Sequence, residues 1–202
     1  MKNYIYLNGS KINLTEEQVK EMQKSFGIKP IKLSDISTGE TFKIGEYEFI
    51  AMEHSKETTS ALLKAFLHDE KAFGKNNNYN GSYIDDMCND FARTISDIVG
   101  DENLIEHTVD LTSDDGLKDY GKIKRKVSLL TTDLYRRYVE TLDKYNPKKY
   151  WWLVTAYSTP AHSASNWVKC VSPGGVIYIG LCSSNNGVRP FCILKSNILV
   201  SK

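Results

Sequence analysis

The chain is predicted to adopt an α+β fold, and three observations predict it. Two glycine-bearing turns, Asn8-Gly9 and Gly45-Glu46, sit between short alternating apolar runs and read as hairpins. Helical periodicity dominates the middle of the sequence. The last third, Tyr150 to Leu194, reads as successive strands and holds all three tryptophans, three of the four cysteines and three of the five prolines. Helices in the middle and sheet at the end give the layout.

The 202 residues suit one large domain or a domain with a small appendage. A hydrophobic share of 41% with 25% charged residues is that of a chain with a packed core. Twenty-six basic against 25 acidic residues leave a net charge of +1, so whole-molecule attraction to nucleic acid or an anionic membrane is not expected. No run approaches the roughly 18 apolar residues of a bilayer span. Met1-Lys2-Asn3-Tyr4 leads into alternation rather than a signal peptide's apolar run, so the expected location is a cytoplasm. Cys88, Cys170, Cys182 and Cys192 form no C-x-x-C pair and no zinc spacing, and read as reduced, buried hydrophobes.

In chain order, Tyr4–Leu7 and Lys11–Leu14 flank Asn8-Gly9, whose residues accept the positive φ of a tight turn. Thr15-Glu16-Glu17-Gln18 is a capping box, followed by Val19, Met22 and Phe26 on one helical face and a stop at Gly27. Residues 1–28 thus read as a hairpin-helix appendage too small to hold a core alone, suited to docking or self-association. Residues 33–202 form the main domain. Thr41–Ile44 and Tyr47–Ile50 are its first hairpin, Thr58–Phe66 continues the meander, and Asn76–Gly81 is a loop. Ser82 caps a helix with an apolar stripe of Ile84, Met87, Cys88, Phe91, Ile95 and Ile98, ended by Gly100. Leu104–Leu111 alternates as a strand, Thr112–Tyr120 is an acidic loop, and a Thr132 cap opens a helix marked by Leu134, Tyr135, Tyr138 and Leu142, which stops at Asn146-Pro147. Strands are predicted at Trp151–Thr155, Trp167–Val171, Val176–Gly180 and Phe191–Leu194, with Pro173-Gly174-Gly175 turning the chain between the second and third.

Little chemistry is spelled out. His54, His68, His107 and His162 show no i, i+3 or i, i+4 pairing, so no helical metal site is expected. No Gly-x-Ser-x-Gly elbow or cysteine-nucleophile signature is present, and the protein is expected not to be an enzyme and to need no cofactor. Asp110, Asp114, Asp115 and Asp119 surround Gly116 but miss the calcium-loop spacing, which favours a solvated turn over a calcium site. Lys118, Lys122, Lys124, Arg125 and Lys126 form a basic run that the aspartates beside it blunt. The segment Tyr157–Asn186 is different, stringing together Tyr157, His162, Ser163, Ser165, Asn166, Tyr178, Ser183, Ser184, Asn185 and Asn186. Tyrosine, serine and asparagine on loops make adaptable contacts at low entropic cost, which makes these the ligand-binding candidates; ordinary turn residues between core strands are the competing reading.

Trp151-Trp152-Leu153, Ser158-Thr159-Pro160, Trp167-Val168-x-x-Val171, a glycine turn and Gly187-Val188-Arg189-Pro190 together resemble the DUF6273 pattern, with Leu33-x-Asp35-Ile36-x-x-Gly39-Glu40 matching its middle. The likeness covers about Leu33 to Ser201. That family is uncharacterised and is frequent in phages and prophages of Gram-positive bacteria. The resemblance implies a C-type-lectin-like domain with a mixed or antiparallel sheet and two flanking helices, similar to sulfatase-modifying enzymes and retroelement variable proteins. It implies that Trp151, Trp152, Gly187, Arg189 and Pro190 are scaffold, and that the polar and aromatic positions between Tyr157 and Asn186 face the ligand. Formylglycine-forming activity is not implied, because Cys182 and Cys192 do not reproduce the closely spaced catalytic pair.

The resulting expectation is a non-enzymatic phage or prophage binding module, resident in the host cytoplasm or in a virion, that recognises a protein, or else a glycan, through its C-terminal loops. The runner-up is a small inhibitor of a host defence nuclease acting by occlusion, with nucleic acid reached only through that partner. No membrane association is expected, and residues 1–28 offer a route to a homo-oligomer.

Overall fold

A computed structural model describes residues 4–7, 10–25 and 30–202. The fold is α+β, mostly sheet with three α-helices among the described residues. Strands β1 (Tyr4–Leu7) and β2 (Ser10–Asn13) pair antiparallel, with Leu7 opposite Ser10, ahead of helix α1 (Glu16–Ser25). The Asn8-Gly9 turn and the Phe26-Gly27 helix end lie outside the described residues. The capping box forms reciprocally: Gln18 N–H donates to Thr15 Oγ1 at 3.2 Å and Thr15 N–H to Gln18 Oε1 at 2.9 Å.

The main body begins with β3 (Ile31–Lys32), β4 (Thr41–Ile44), β5 (Tyr47–His54), β6 (Thr58–Leu63) and β7 (His68–Ala72). Helix α2 (Tyr83–Val99) follows, then β8 (Leu104–Ile105), β9 (His107–Asp110), β10 (Lys122–Arg125), β11 (Val127–Ser128) and helix α3 (Thr132–Asp143). The chain closes with β12 (Trp151–Ala156), β13 (Trp167–Val171), β14 (Ile177–Leu181), β15 (Asn185–Val188), β16 (Phe191–Lys195) and β17 (Leu199–Val200). One sheet runs β11-β16-β6-β5-β4, with β8 also on β16, and a second runs β14-β13-β12-β15-β7. Every pairing in them is antiparallel except β12 with β15, where Trp151 meets Gly187 in parallel.

Alternation along the strands builds two cores. On β12, Trp152 and Val154 enter the core that holds α2, while Trp151 and Leu153 enter the core that holds α3. On β5, Phe49 and Ala51 take the first side, Ile50 and Met52 the second. These central strands are buried on both faces, which is why β12 reads as an unbroken apolar run from Trp151 to Val154. Both helices start on side-chain caps. Ser82 Oγ accepts from Asp85 N–H, and Thr131 Oγ1 accepts from Leu134 N–H. The cap of α3 is therefore Thr131 and not Thr132, which is already helical and donates its N–H to Thr155 Oγ1 at 3.0 Å.

Other departures have local causes. Ile98 is exposed and Ala92 and Val99 complete the buried stripe of α2. The strand predicted over Leu104–Leu111 divides into β8 and β9, which pair with different neighbours. Trp151 and Trp152 are buried as scaffold, whereas Trp167 is exposed opposite the exposed Leu181. Strands β7 and β15 were not predicted. They carry polar and charged side chains and are defined by pairing with each other, Asn185 opposite Ala72 and Asn186 opposite Lys71.

Candidate binding site

At the far end of β12, two loops meet. The acidic loop between β9 and β10 docks on the strand when Asp114 N–H donates to Ala156 O at 2.9 Å. Its own turns close through Gly116 N–H to Ser113 O and Ser113 N–H to Leu117 O, with Gly116 at φ +88°. The second loop leaves β12 at Tyr157 and forms one tight turn, Pro160–His162, with Pro160 at its first position and Ser163 in the left-handed region at φ 57°.

Asp115 joins the loops. Its Oδ1 accepts from Ser113 Oγ, and its Oδ2 accepts from Ser158 Oγ at 2.6 Å and from His162 Nδ1–H at 3.0 Å. These hydrogen bonds, that of Ser113 foremost, hold the Asp115 carboxyl well below the usual carboxylate range. With Nδ1 carrying the proton, a neutral His162 has its free lone pair on Nε2. The arrangement is not a nucleophilic relay. Ser158 and His162 converge on the same carboxylate oxygen, whereas a serine triad needs the hydroxyl on the far ring nitrogen of the histidine.

Beside it, Asp114 Oδ2 accepts from Lys169 Nζ at 3.1 Å, and that ammonium lies 5.8 Å from the centre of the Tyr157 ring. Asp119 Oδ2 accepts from Thr159 Oγ1 at 2.6 Å, and Asp110 is bound by Thr112 and by Lys122. Each of the four aspartates thus already meets donors of the protein. Among the described residues no group of three or more histidine, cysteine or acidic side chains is placed to hold a metal ion.

Two clefts adjoin at Asp114. One, of about 410 Å³, is lined by Asp114, Asp115, Tyr157, Ser158, His162 and Ala164. The other, of about 270 Å³, lies at the start of α3 and is bordered by Thr112, Ser113, Thr131, Thr132, Thr155, three aspartates and Arg136. The buried Thr132 hydroxyl in its wall makes no hydrogen bond with the described residues. Comparison with family models, curated proteins and solved structures returns no match for the chain.

The structure brings only part of the predicted set together. Tyr157 and His162 line one cleft, and Ser163 and Ser165 belong to the loop that carries His162, where Ser165 O accepts from Asn77 N–H. Asn166 is exposed and accepts, through its carbonyl, from Cys182 N–H; Ser183, Ser184 and Asn185 are exposed beyond β14. Tyr178 sits toward the opposite end of the sheet, paired with Cys170 and 6.2 Å from the Tyr150 ring. Asn186 is buried on β15 against Gly180, because strand pairing with β7 turns its side chain inward.

The basic run does not converge on a free face either. Arg125 is clasped by buried Asp85, Lys122 by Asp110 and Lys126 by Asp101, which leaves Lys118 and Lys124 exposed without an ion pair among the described residues. One residue the sequence reading missed organises the site. Fully buried Asn77 donates from Nδ2 to the carbonyls of Ser158, Ala164 and Trp167 at 2.9–3.0 Å, and its Oδ1 accepts from Tyr120 at 2.6 Å. Nothing in the run Asn76-Asn77-Asn78 distinguishes the middle asparagine from its neighbours.

Proposed function

We propose that this protein is a binding module that takes a glycan in the paired clefts around Asp114. The observation that carries the reading is their lining. Hydroxyls, carboxylates already hydrogen-bonded by the protein, one guanidinium and the exposed Tyr157 ring offer mixed donors and acceptors beside a flat apolar face. A polyhydroxylated, uncharged ligand matches that mixture better than an ion does, because no aspartate there lacks a donor. The Thr132 hydroxyl adds a buried group that such a ligand would satisfy.

The DUF6273 resemblance, with a C-type-lectin-like fold and a phage or prophage origin, belongs to the same proposal. It is supported by the placement of Trp151, Trp152, Gly187 and Arg189 in the interior, with the loop of His162 and Ser163 outside. A protein partner on the same loops is the second reading, favoured by the exposed Trp167 and Leu181 next to Tyr157. The defence-inhibitor reading has less behind it, since three residues of its basic run are engaged in ion pairs.

A glycan array probed with the native protein, Tyr157→Ala and Thr132→Val tests the proposal. Retention of a glycan class by the native protein, with loss in Tyr157→Ala and weakening in Thr132→Val at unchanged melting temperature, is the expected result. Equal retention by all three, or none by the native protein, overturns it.

A further inference from the structure

The strand β14 ends the second sheet, and two of the other sheet edges, β7 and β4, are protected. The opposite edge, β7, reads His68-Asp69-Glu70-Lys71-Ala72, a charged strand of the kind that discourages pairing. The edge strand β4 of the first sheet is bridged by Ser201 at Lys43. By contrast β14 carries no such guard: the stretch from Cys170 to Val188 contains no Asp, Glu, Lys, Arg or His. Large apolar residues on and beside it stand in solvent, Val176 at 64%, Tyr178 at 56%, Leu181 at 40% and Trp167 at 38% exposure.

The hydrogen-bond phase of this edge is defined by its inner neighbour. Ser172 N–H donates to Val176 O and Cys182 N–H to Asn166 O, so the even-numbered residues of β14 form the hydrogen-bonded pairs with β13. The N–H and C=O groups of Ile177 and Ile179 and the N–H of Leu181 therefore point outward, while the Leu181 carbonyl is taken by Ser184 N–H at 2.8 Å.

From this edge we infer that the protein forms a two-fold dimer by antiparallel pairing of β14 with β14 of a second copy, centred on Ile179. With the axis there, Ile179 exchanges both hydrogen bonds with its own counterpart, and the Leu181 N–H meets the Ile177 carbonyl of the second copy, the Leu181 carbonyl being held by Ser184 N–H. Tyr178 then faces Gly180 of the second copy in a close, non-hydrogen-bonded pair, so the largest side chain of the strand meets the one residue without any. On the other face Ile177 meets Leu181 of the second copy, beside Trp167. Charge selects the occupant. A net charge on the edge would face its own double across the axis, and this edge carries none.

Sedimentation equilibrium over a concentration series, with a thermal melt of each protein, tests the pairing. The native protein is expected to dimerise, Ile179→Lys and Ile179→Glu to be monomers with melts that show a folded protein, and an equimolar mixture of the two variants to regain a dimer across the axis. A native monomer, leaving the edge to a strand of a different protein, overturns the inference. So does a dimer that survives in each variant alone, which would place the interface elsewhere, or a mixture that stays monomeric.

Discussion

Arg125 grips Asp85 with two hydrogen bonds of 2.7 Å, from Nε to Oδ1 and from Nη2 to Oδ2. Asp85 is buried in the first turn of α2, where its Oδ2 also accepts from Gly81 N–H at 2.9 Å, and Arg125 reaches on to Asn80 Oδ1 at 3.0 Å. One arginine at the end of β10 thereby locks the loop that leads into the helix. A bidentate guanidinium–carboxylate pair of this kind is costly to break from one side, because the buried charge is left alone.

Arg125→Met is accordingly expected to destabilise the fold by about 3 kcal/mol. Urea unfolding of Arg125→Met, Asp85→Asn and the double variant measures it. The double variant should lose clearly less than the sum of the singles, since the stranded charge is gone.

Gly187 presses on Phe66. A Cβ built on Gly187 would lie 2.5–2.7 Å from the Phe66 ring, inside the contact any real side chain tolerates. Gly187→Ala should therefore cost about 1–3 kcal/mol by overpacking. Denaturant midpoints should show part of the loss restored in the double variant Gly187→Ala/Phe66→Leu, whose smaller side chain gives way.

Asn77 pins the loop that carries His162. Replacing it with alanine strips the carbonyls of Ser158, Ala164 and Trp167 of a shared donor and leaves the Tyr120 hydroxyl without its acceptor. Amide hydrogen exchange should rise across residues 158–167 in Asn77→Ala, while α3 keeps its protection. Ligand capture should weaken with it, although Asn77 lines neither cleft.

Acid sensitivity follows from the same loops. The Thr112 hydroxyl, assisted by Lys122, holds Asp110 down at about 2, and Asp115 is held lower still by Ser113, Ser158 and His162. Both charged forms are favoured in the folded state, so their contribution is present above the unfolded value of about 4 and is lost as pH falls through the folded values. Melting temperatures between pH 4 and pH 2 should fall less steeply in Asp110→Asn and Asp115→Asn than in the native protein.

His107 acts in a higher range with the same sign. Burial against Phe191 lowers its folded value, so the unfolded chain binds the proton first and stability declines as pH falls below about 6.5. His107→Gln should flatten the melting temperature between pH 7 and pH 5.

Local order was legible wherever the physics is local. The reciprocal Thr15–Gln18 cap, the Ser82 cap, the stripe of Ile84, Cys88, Phe91 and Ile95, and the twin tryptophans of β12 depend on residues a few positions apart, and periodicity reads them directly. What failed needed a distant partner. Asn185-Asn186 looks like a turn until β7 pairs with it. Arg125 looks like a phosphate contact until Asp85, forty residues earlier, claims it.

The amino-acid order alone thus determined that this is an α+β protein with a tryptophan-bearing sheet near its end, because helix phase, strand alternation and turn chemistry are written within short windows. Only the tertiary structure decided which polar residues meet. Asp115, Ser158 and His162 converge because two loops close on one end of β12, and Tyr178 is parted from them by the length of a strand. Strand pairing joins such neighbours through backbone hydrogen bonds, whose donors every residue but proline carries, so short stretches of sequence do not reveal which distant strand will be the partner.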